Sequence, residues 1–233
     1  MTGAQPPALT LPKAVLFDLD GTLVDSAPDI AAAVNELLAA HDLPSVTVEQ
    51  VAGMVGNGIE KTIERAFATV GHPVEETELE ALMAEMAPIY RRHATTLTRL
   101  MPGTEEALAE LHMAGIGIAL VTNKPQLATR QVLLHFGILE RFGAVVGGDA
   151  VTVMKPAPEA LFLAMEQLGA TPAEALMVGD SVTDVQAARN AGIPVVLIRG
   201  GYSQQPVETL GADHVLDSLA DLPALLLGVQ RAA

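Results

Sequence analysis

Asp18 and Asp20 stand two residues apart, directly after the apolar run Ala14-Val-Leu-Phe17. Residues at i and i+2 of an extended chain point to the same side, so both carboxylates can face one reacting atom beyond the strand's carboxyl end. Two acids so placed can divide a reaction between them. One attacks an electrophile to form a covalent intermediate, and the other protonates the leaving oxygen. Esters of phosphorus need both roles. Gly21 allows the backbone to turn sharply behind the pair. The competing reading is a plain loop start, for which Asp and Gly are common choices.

Polar residues also close the later apolar runs. Thr122-Asn123-Lys124 follows the run 116–121, and its Thr could cap the helix after Pro125 or, with backbone N–H groups, bind a phosphoryl oxygen. Lys155 stands ahead of Pro156 and Pro158, which could fix it at the sheet edge where an ammonium would neutralise a phosphoryl group and a carboxylate. An isolated Lys is otherwise a solvated charge. Asp180 and Asp184 follow the run 175–178, one helical turn apart. They offer oxygen ligands to Mg2+, which keeps several waters and takes one or two carboxylates. Alternatively, Asp180 or Ser181 caps the helix that follows.

A parallel sheet is what would bring these residues together. Strand-like runs at 14–17, 116–121, 144–146, 175–178 and 195–198 alternate with helical patterns at 104–114, 127–136, 158–168 and 182–191. That alternation indicates an α/β fold, a Rossmann-like doubly wound parallel sheet with its site outside the carboxyl ends of the strands. Gly115, Gly137, Gly169 and Gly192 each follow a helical run, where a left-handed cap is expected. From about Asp29 to Thr98 the alternation stops and only helical patterns remain, at 30–40, 59–70 and 79–92. The expected organisation is a discontinuous core over 13–27 and 98–233, an inserted all-helical cap over 28–97, and a tail over 1–12. Two linkers, near 24–28 and 98–102, would form a hinge.

Composition narrows the function. The chain has 233 residues, 50% hydrophobic, enough for a real core. Aromatics are only 3%, which disfavours base stacking, and the formal charge of −15 repels nucleic-acid backbones. No cysteine occurs, so disulfides, thiolate catalysis and Cys-ligated metals are excluded. The first residues do not read as a secretory signal and no stretch is long and apolar enough for a bilayer span, so a cytoplasmic enzyme is expected, without nucleic-acid or membrane partners.

Asp18-Leu-Asp-Gly-Thr22, Val121-Thr-Asn123, Lys155-Pro156 and Gly179-Asp-Ser181 with Asp184 resemble the four ordered motifs of the haloacid dehalogenase superfamily. The resemblance spans roughly residues 13–220. Within that superfamily the chain is most similar to bacterial phosphoglycolate phosphatases, on Phe17-Asp-Leu-Asp-Gly-Thr-Leu-Val-Asp-Ser-Ala27, Val55-Gly-Asn-Gly58 with Glu64-Arg-Ala66, Val121-Thr-Asn-Lys-Pro125 and Val146-Gly-Gly-Asp149.

The resemblance implies a phosphatase acting on a small phosphorylated metabolite, as monomer or homodimer, with Mg2+ as cofactor. It implies Asp18 as nucleophile, Asp20 as acid and base, and Thr122 and Lys155 completing the catalytic set. Asp18, the Asp20 carbonyl and Asp180 would hold the metal, with Asp184 in support. Leu19 and Asn123 in the core, and Gly56, Asn57, Gly58, Lys61 and Arg65 in the cap, are the expected substrate-binding residues. Lys61 and Arg65 share a helix face, which is either a solvated ridge or the contact for a substrate carboxylate. A phosphosugar mutase on the same core is the alternative. A dehalogenase is disfavoured by Asp20, because carbon–halogen cleavage needs no leaving-group acid.

Overall fold

The computed structural model describes residues 10–228; most of the tail expected over 1–12, and residues 229–233, lie outside the described residues. In chain order the elements are β1 (Ala14–Phe17), β2 (Val24–Asp25), α1 (Ala27–Ala40), α2 (Val48–Ala52), α3 (Ile59–Thr69) and α4 (Glu76–His93). There follow β3 (Arg99–Leu100), α5 (Thr104–Met113), β4 (Gly117–Val121), α6 (Gln126–His135), β5 (Ala144–Val146) and α7 (Glu159–Leu168). The chain closes with β6 (Ala175–Gly179), α8 (Val182–Ala191), β7 (Val195–Ile198), β8 (His214–Leu216) and α9 (Leu222–Leu227).

Six strands form a parallel sheet in the order β5-β4-β1-β6-β7-β8. The chain builds outward from β1 to β5, then returns to the other side of β1 to lay down β6 to β8. The crevice at such a reversal is where ligands bind in open α/β sheets. It lies at the ends of β1, β4 and β6, the strands that run into Asp18, Thr122 and Asp180.

Strand β1 is buried throughout because it is covered on both faces. Val15 and Phe17 pack with Leu108 and Leu111 of α5 and Leu222 of α9, whereas Ala14 and Leu16 pack with Leu161 of α7 and Val185 of α8. The period of two sends alternate side chains to opposite layers. Each of the four helix-ending glycines expected to be left-handed has a positive φ.

Helices α1 to α4 make a separate apolar cluster around Val34, Leu37, Ile63, Phe67 and Met86, which Ala128 of α6 joins from the core. The insertion enters and leaves through an antiparallel ribbon, Val24 opposite Leu100 and Asp25 opposite Arg99. Buried Asp29 ties the two linkers. Its Oδ1 accepts from the Leu97 N–H at 2.9 Å, and its Oδ2 accepts from the Thr98 N–H at 2.8 Å and the Thr98 hydroxyl at 2.6 Å. Asp29→Ala would strand these donors and is expected to cost about 3 kcal/mol, read as a lower urea midpoint. A change below about 0.5 kcal/mol would show that the ribbon does not depend on it.

The ribbon, α2, β8 and α9 are additions to the sequence reading. Each is too short to show a period. Helix α2 is held by a reciprocal cap, in which Thr47 Oγ1 accepts from the Gln50 N–H and the Gln50 side chain accepts from the Thr47 N–H. No helix among the described residues is long and apolar enough to cross a membrane.

Candidate active site

Asp18 continues β1 by donating its N–H to the Val178 carbonyl, which holds its carboxylate over the end of β6. The chain then folds back at once. The Leu19 carbonyl accepts from the N–H groups of Thr22, Leu23 and Val24, and the Leu19 side chain is fully buried in the core. Leu19 can therefore meet a ligand only through its main chain, a restriction on its expected binding role. Gly21 has φ +86°, and a Cβ there would lie 2.6 Å from Asp180 Oδ2, so only glycine lets the loop pass that carboxylate.

Lys155 Nζ sits 2.9 Å from Asp18 Oδ1 and 2.7 Å from Asp184 Oδ1. The first contact is an ion pair without hydrogen-bond geometry, so Asp18 Oδ1 is buried with no hydrogen-bond partner. Asn123 fixes the main chain of Lys155, accepting from its N–H at 3.0 Å and donating to its carbonyl at 2.9 Å. The peptide bond from Lys155 to Pro156 is cis. The Asn123 amide also donates to the Gly56 carbonyl at 2.8 Å, joining core to cap. Thr122 lies beside it, with Oγ1 accepting from the Lys124 N–H. It closes a turn and is not the cap of α6.

Asp180 Oδ1 accepts from the Thr22 hydroxyl at 3.0 Å and Oδ2 from the Tyr202 N–H at 2.7 Å. Asp184 is enclosed by donors. Its Oδ1 takes Lys155, and its Oδ2 takes the Ser181 hydroxyl and the N–H groups of Ser181 and Asp180. The helix cap at Ser181 is thus real, and it coexists with an acidic cluster, since oxygens of Asp18, Asp180 and Asp184 lie within 4.8 Å of one another.

The second acid has its own cation. Lys124 Nζ is 2.9 Å and 3.2 Å from the two oxygens of Asp20, and the Ser26 hydroxyl donates to Asp20 Oδ1 at 2.5 Å. The same ammonium lies 5.1 Å from the ring centre of Tyr90, carried by α4 of the cap. Ser26 is positioned in turn by Tyr202, whose hydroxyl accepts from the N–H groups of Ser26 and Ala27 and donates to Asp25. Tyr202 therefore touches both the first linker and Asp180.

Burial governs the charges. It raises the Asp18 carboxyl from its ordinary 3.8 to about 6, with Lys155 opposing and Asp184 adding to the rise. Burial, then the charges of Asp184 and Asp18, push Asp180 well up. Burial works against both lysine charges, yet the neighbouring carboxylates more than offset it and hold Lys124 and Lys155 above the usual lysine range. Four carboxylates against two ammonium groups leave the fully ionised site negative. With a buried carboxylate oxygen lacking a hydrogen bond, that donor set fits a hard divalent cation.

The cap residues divide. Gly56 and Gly58 line the cavity over Asp18 and Asp20, whereas Asn57, Lys61 and Arg65 do not. Arg65 braces the loop from behind, donating to the Met54 carbonyl at 2.8 Å and Asn57 Oδ1 at 2.7 Å. Lys61 is exposed and paired with Glu64. Of the two readings of this helix face, these contacts favour the one in which neither cation meets the substrate carboxylate. Lys124, Tyr90, Ser26 and Tyr202 are the residues that sequence reasoning missed; the position of Lys124 directly after Thr122-Asn123 was the available signal for one of them.

The model for haloacid dehalogenase-like hydrolases matches residues 15–198. The phosphoglycolate phosphatase of Caulobacter vibrioides is 39% identical over 209 residues, covering 90% of this chain and 88% of that protein. A plasmid phosphoglycolate phosphatase of Cupriavidus necator is 42% identical over 219 residues, covering 91% and 92%. A crystal structure from Haemophilus somnus, described as a predicted phosphoglycolate phosphatase, superposes with a TM-score of 0.84 at 32% identity, covering 92% of this chain and 97% of that one. The chain belongs to the haloacid dehalogenase-like hydrolases. Within that family it is a phosphatase.

Proposed function

We propose that the chain hydrolyses 2-phosphoglycolate to glycolate and phosphate, with Mg2+, through an aspartyl-phosphate on Asp18. The observation that carries the chemistry is that Asp18, Asp20 and Thr122 line one cavity at neighbouring strand ends while Lys155 pairs with Asp18. A carboxylate oxygen of Asp18 attacks phosphorus, and the bond to the glycolate oxygen breaks as Asp20 protonates it. Water then attacks the phosphoryl group, Asp20 takes its proton, and the bond to Asp18 breaks. Thr122 and the Asn123 main chain bind phosphoryl oxygens, and Lys155 offsets their charge. Asp18, the Asp20 carbonyl and Asp180 would hold Mg2+, which supplies charge neutralisation between nucleophile and phosphate. Asp184 acts by fixing Lys155 and the turn at Ser181.

The choice of 2-phosphoglycolate rests on the relatives and on size. The cavity over Asp18 and Asp20 is about 20 Å3, little more than one water. A substrate enters only when the cap moves away, and a short leaving group lets it return near this position. Phosphate release from a panel of small phosphomonoesters tests the assignment. The expected result is the highest kcat/KM for 2-phosphoglycolate. A value no better than the panel average, or isomerisation of a sugar phosphate without phosphate release, would contradict it.

A further inference from the structure

Lys124 is the one positively charged side chain among the described residues lining the cavity over Asp18 and Asp20. It is only 5% exposed, and Tyr90 of the cap closes over it. A buried ammonium needs a carboxylate, and Asp20 supplies one through both oxygens. That pairing puts the ammonium beside the group that protonates the leaving oxygen. In 2-phosphoglycolate one methylene carbon separates that oxygen from the carboxylate. A substrate carboxylate therefore falls within reach of Lys124 whenever the leaving oxygen reaches Asp20. Lysine has three donors on a flexible stem and can serve both carboxylates. Closure of Tyr90 takes the new pair out of water, where it discriminates strongly between charged and neutral groups.

We propose that Lys124 binds the substrate carboxylate and sets the preference for phosphate esters carrying an acid group one carbon from the leaving oxygen. This rests on the phosphoglycolate reading above and names the residue that reading lacks. Lys61 and Arg65 are replaced in that role, since one is exposed and the other is committed to the Met54 carbonyl and Asn57.

The test compares 2-phosphoglycolate with the neutral ester 2-hydroxyethyl phosphate in the wild-type chain and in Lys124→Met, Lys124→Gln and Arg65→Gln. In each lysine variant the change in the contact to Asp20 is the same for both esters, so the ratio of kcat/KM values isolates the carboxylate contact. In Lys124→Met and Lys124→Gln the value for 2-phosphoglycolate is expected to fall about 100-fold more than that for the neutral ester, with much of the loss in KM. Arg65→Gln is expected to keep the wild-type ratio. Gln keeps a hydrogen-bonding group at the site, so it reads the same ratio if the Met variant does not fold. Equal losses for both esters, or a ratio that collapses in Arg65→Gln instead, would overturn the assignment. A wild-type chain that does not prefer 2-phosphoglycolate would overturn the substrate reading itself, and that result is visible before any variant is made.

Discussion

Asp18→Asn is expected to lower kcat by about 10^4-fold or more while leaving the protein as stable as before or more so. The first half follows from removing the nucleophile. The second follows from the sign of the burial effect. Asp18 titrates at about 6 in the folded chain against an ordinary 3.8, so folding disfavours its ionised form. That cost is absent while both states are protonated. It grows as pH rises from about 4 to about 6 and is complete above, where it amounts to a few kcal/mol. Asparagine carries no such cost, and Lys155 keeps its contact with Asp184. Thermal melts at neutral pH beside single-turnover assays separate the two effects. A variant that loses activity because it unfolds, or one that still turns over, would contradict the role given to Asp18.

Mg2+ is expected to raise the melting temperature at pH 7.5 by roughly 5–10 °C at a hundredfold excess over its dissociation constant. The cation offsets the burial cost, and the smaller repulsion between carboxylates, that lift Asp18 and Asp180. Below about pH 6 Asp18 holds a proton that the metal must displace, so the stabilisation is expected to be much smaller at pH 5. Asp180→Asn is expected to abolish most of it. Equal shifts at both pH values, or a full shift in Asp180→Asn, would place the metal elsewhere.

The acidic and hydroxyl parts of this site are legible in the sequence because Asp18, Thr122 and Asp180 each end a buried strand, and their recurrence outweighs the loop or cap reading of any one. Val15 to Phe17 and Leu176 to Val178 are apolar on both faces, and the polar residue that ends such a run must emerge at the sheet's edge. The burial of Lys124 was not legible. The residue reads as part of a polar turn, and its burial depends on Asp20 and on Tyr90, which lie far from it in the chain. The partners of Arg65 were hidden for the converse reason. Its spacing from Lys61 gives a cationic ridge on a helix, whereas the guanidinium is spent on a carbonyl and an amide of the preceding loop. Strand β8 escaped because its three residues are only half-buried at the sheet edge, with no apolar run to mark them.

The most direct measurement of the mechanism is the stereochemical course at phosphorus. A thio-analogue of the substrate, chiral through oxygen isotopes and hydrolysed in water of the third isotope, passes through two in-line displacements if Asp18 carries the phosphoryl group. Overall retention of configuration is then expected. Inversion would mean that water attacks the ester in a single step, and Asp18 would not be the nucleophile.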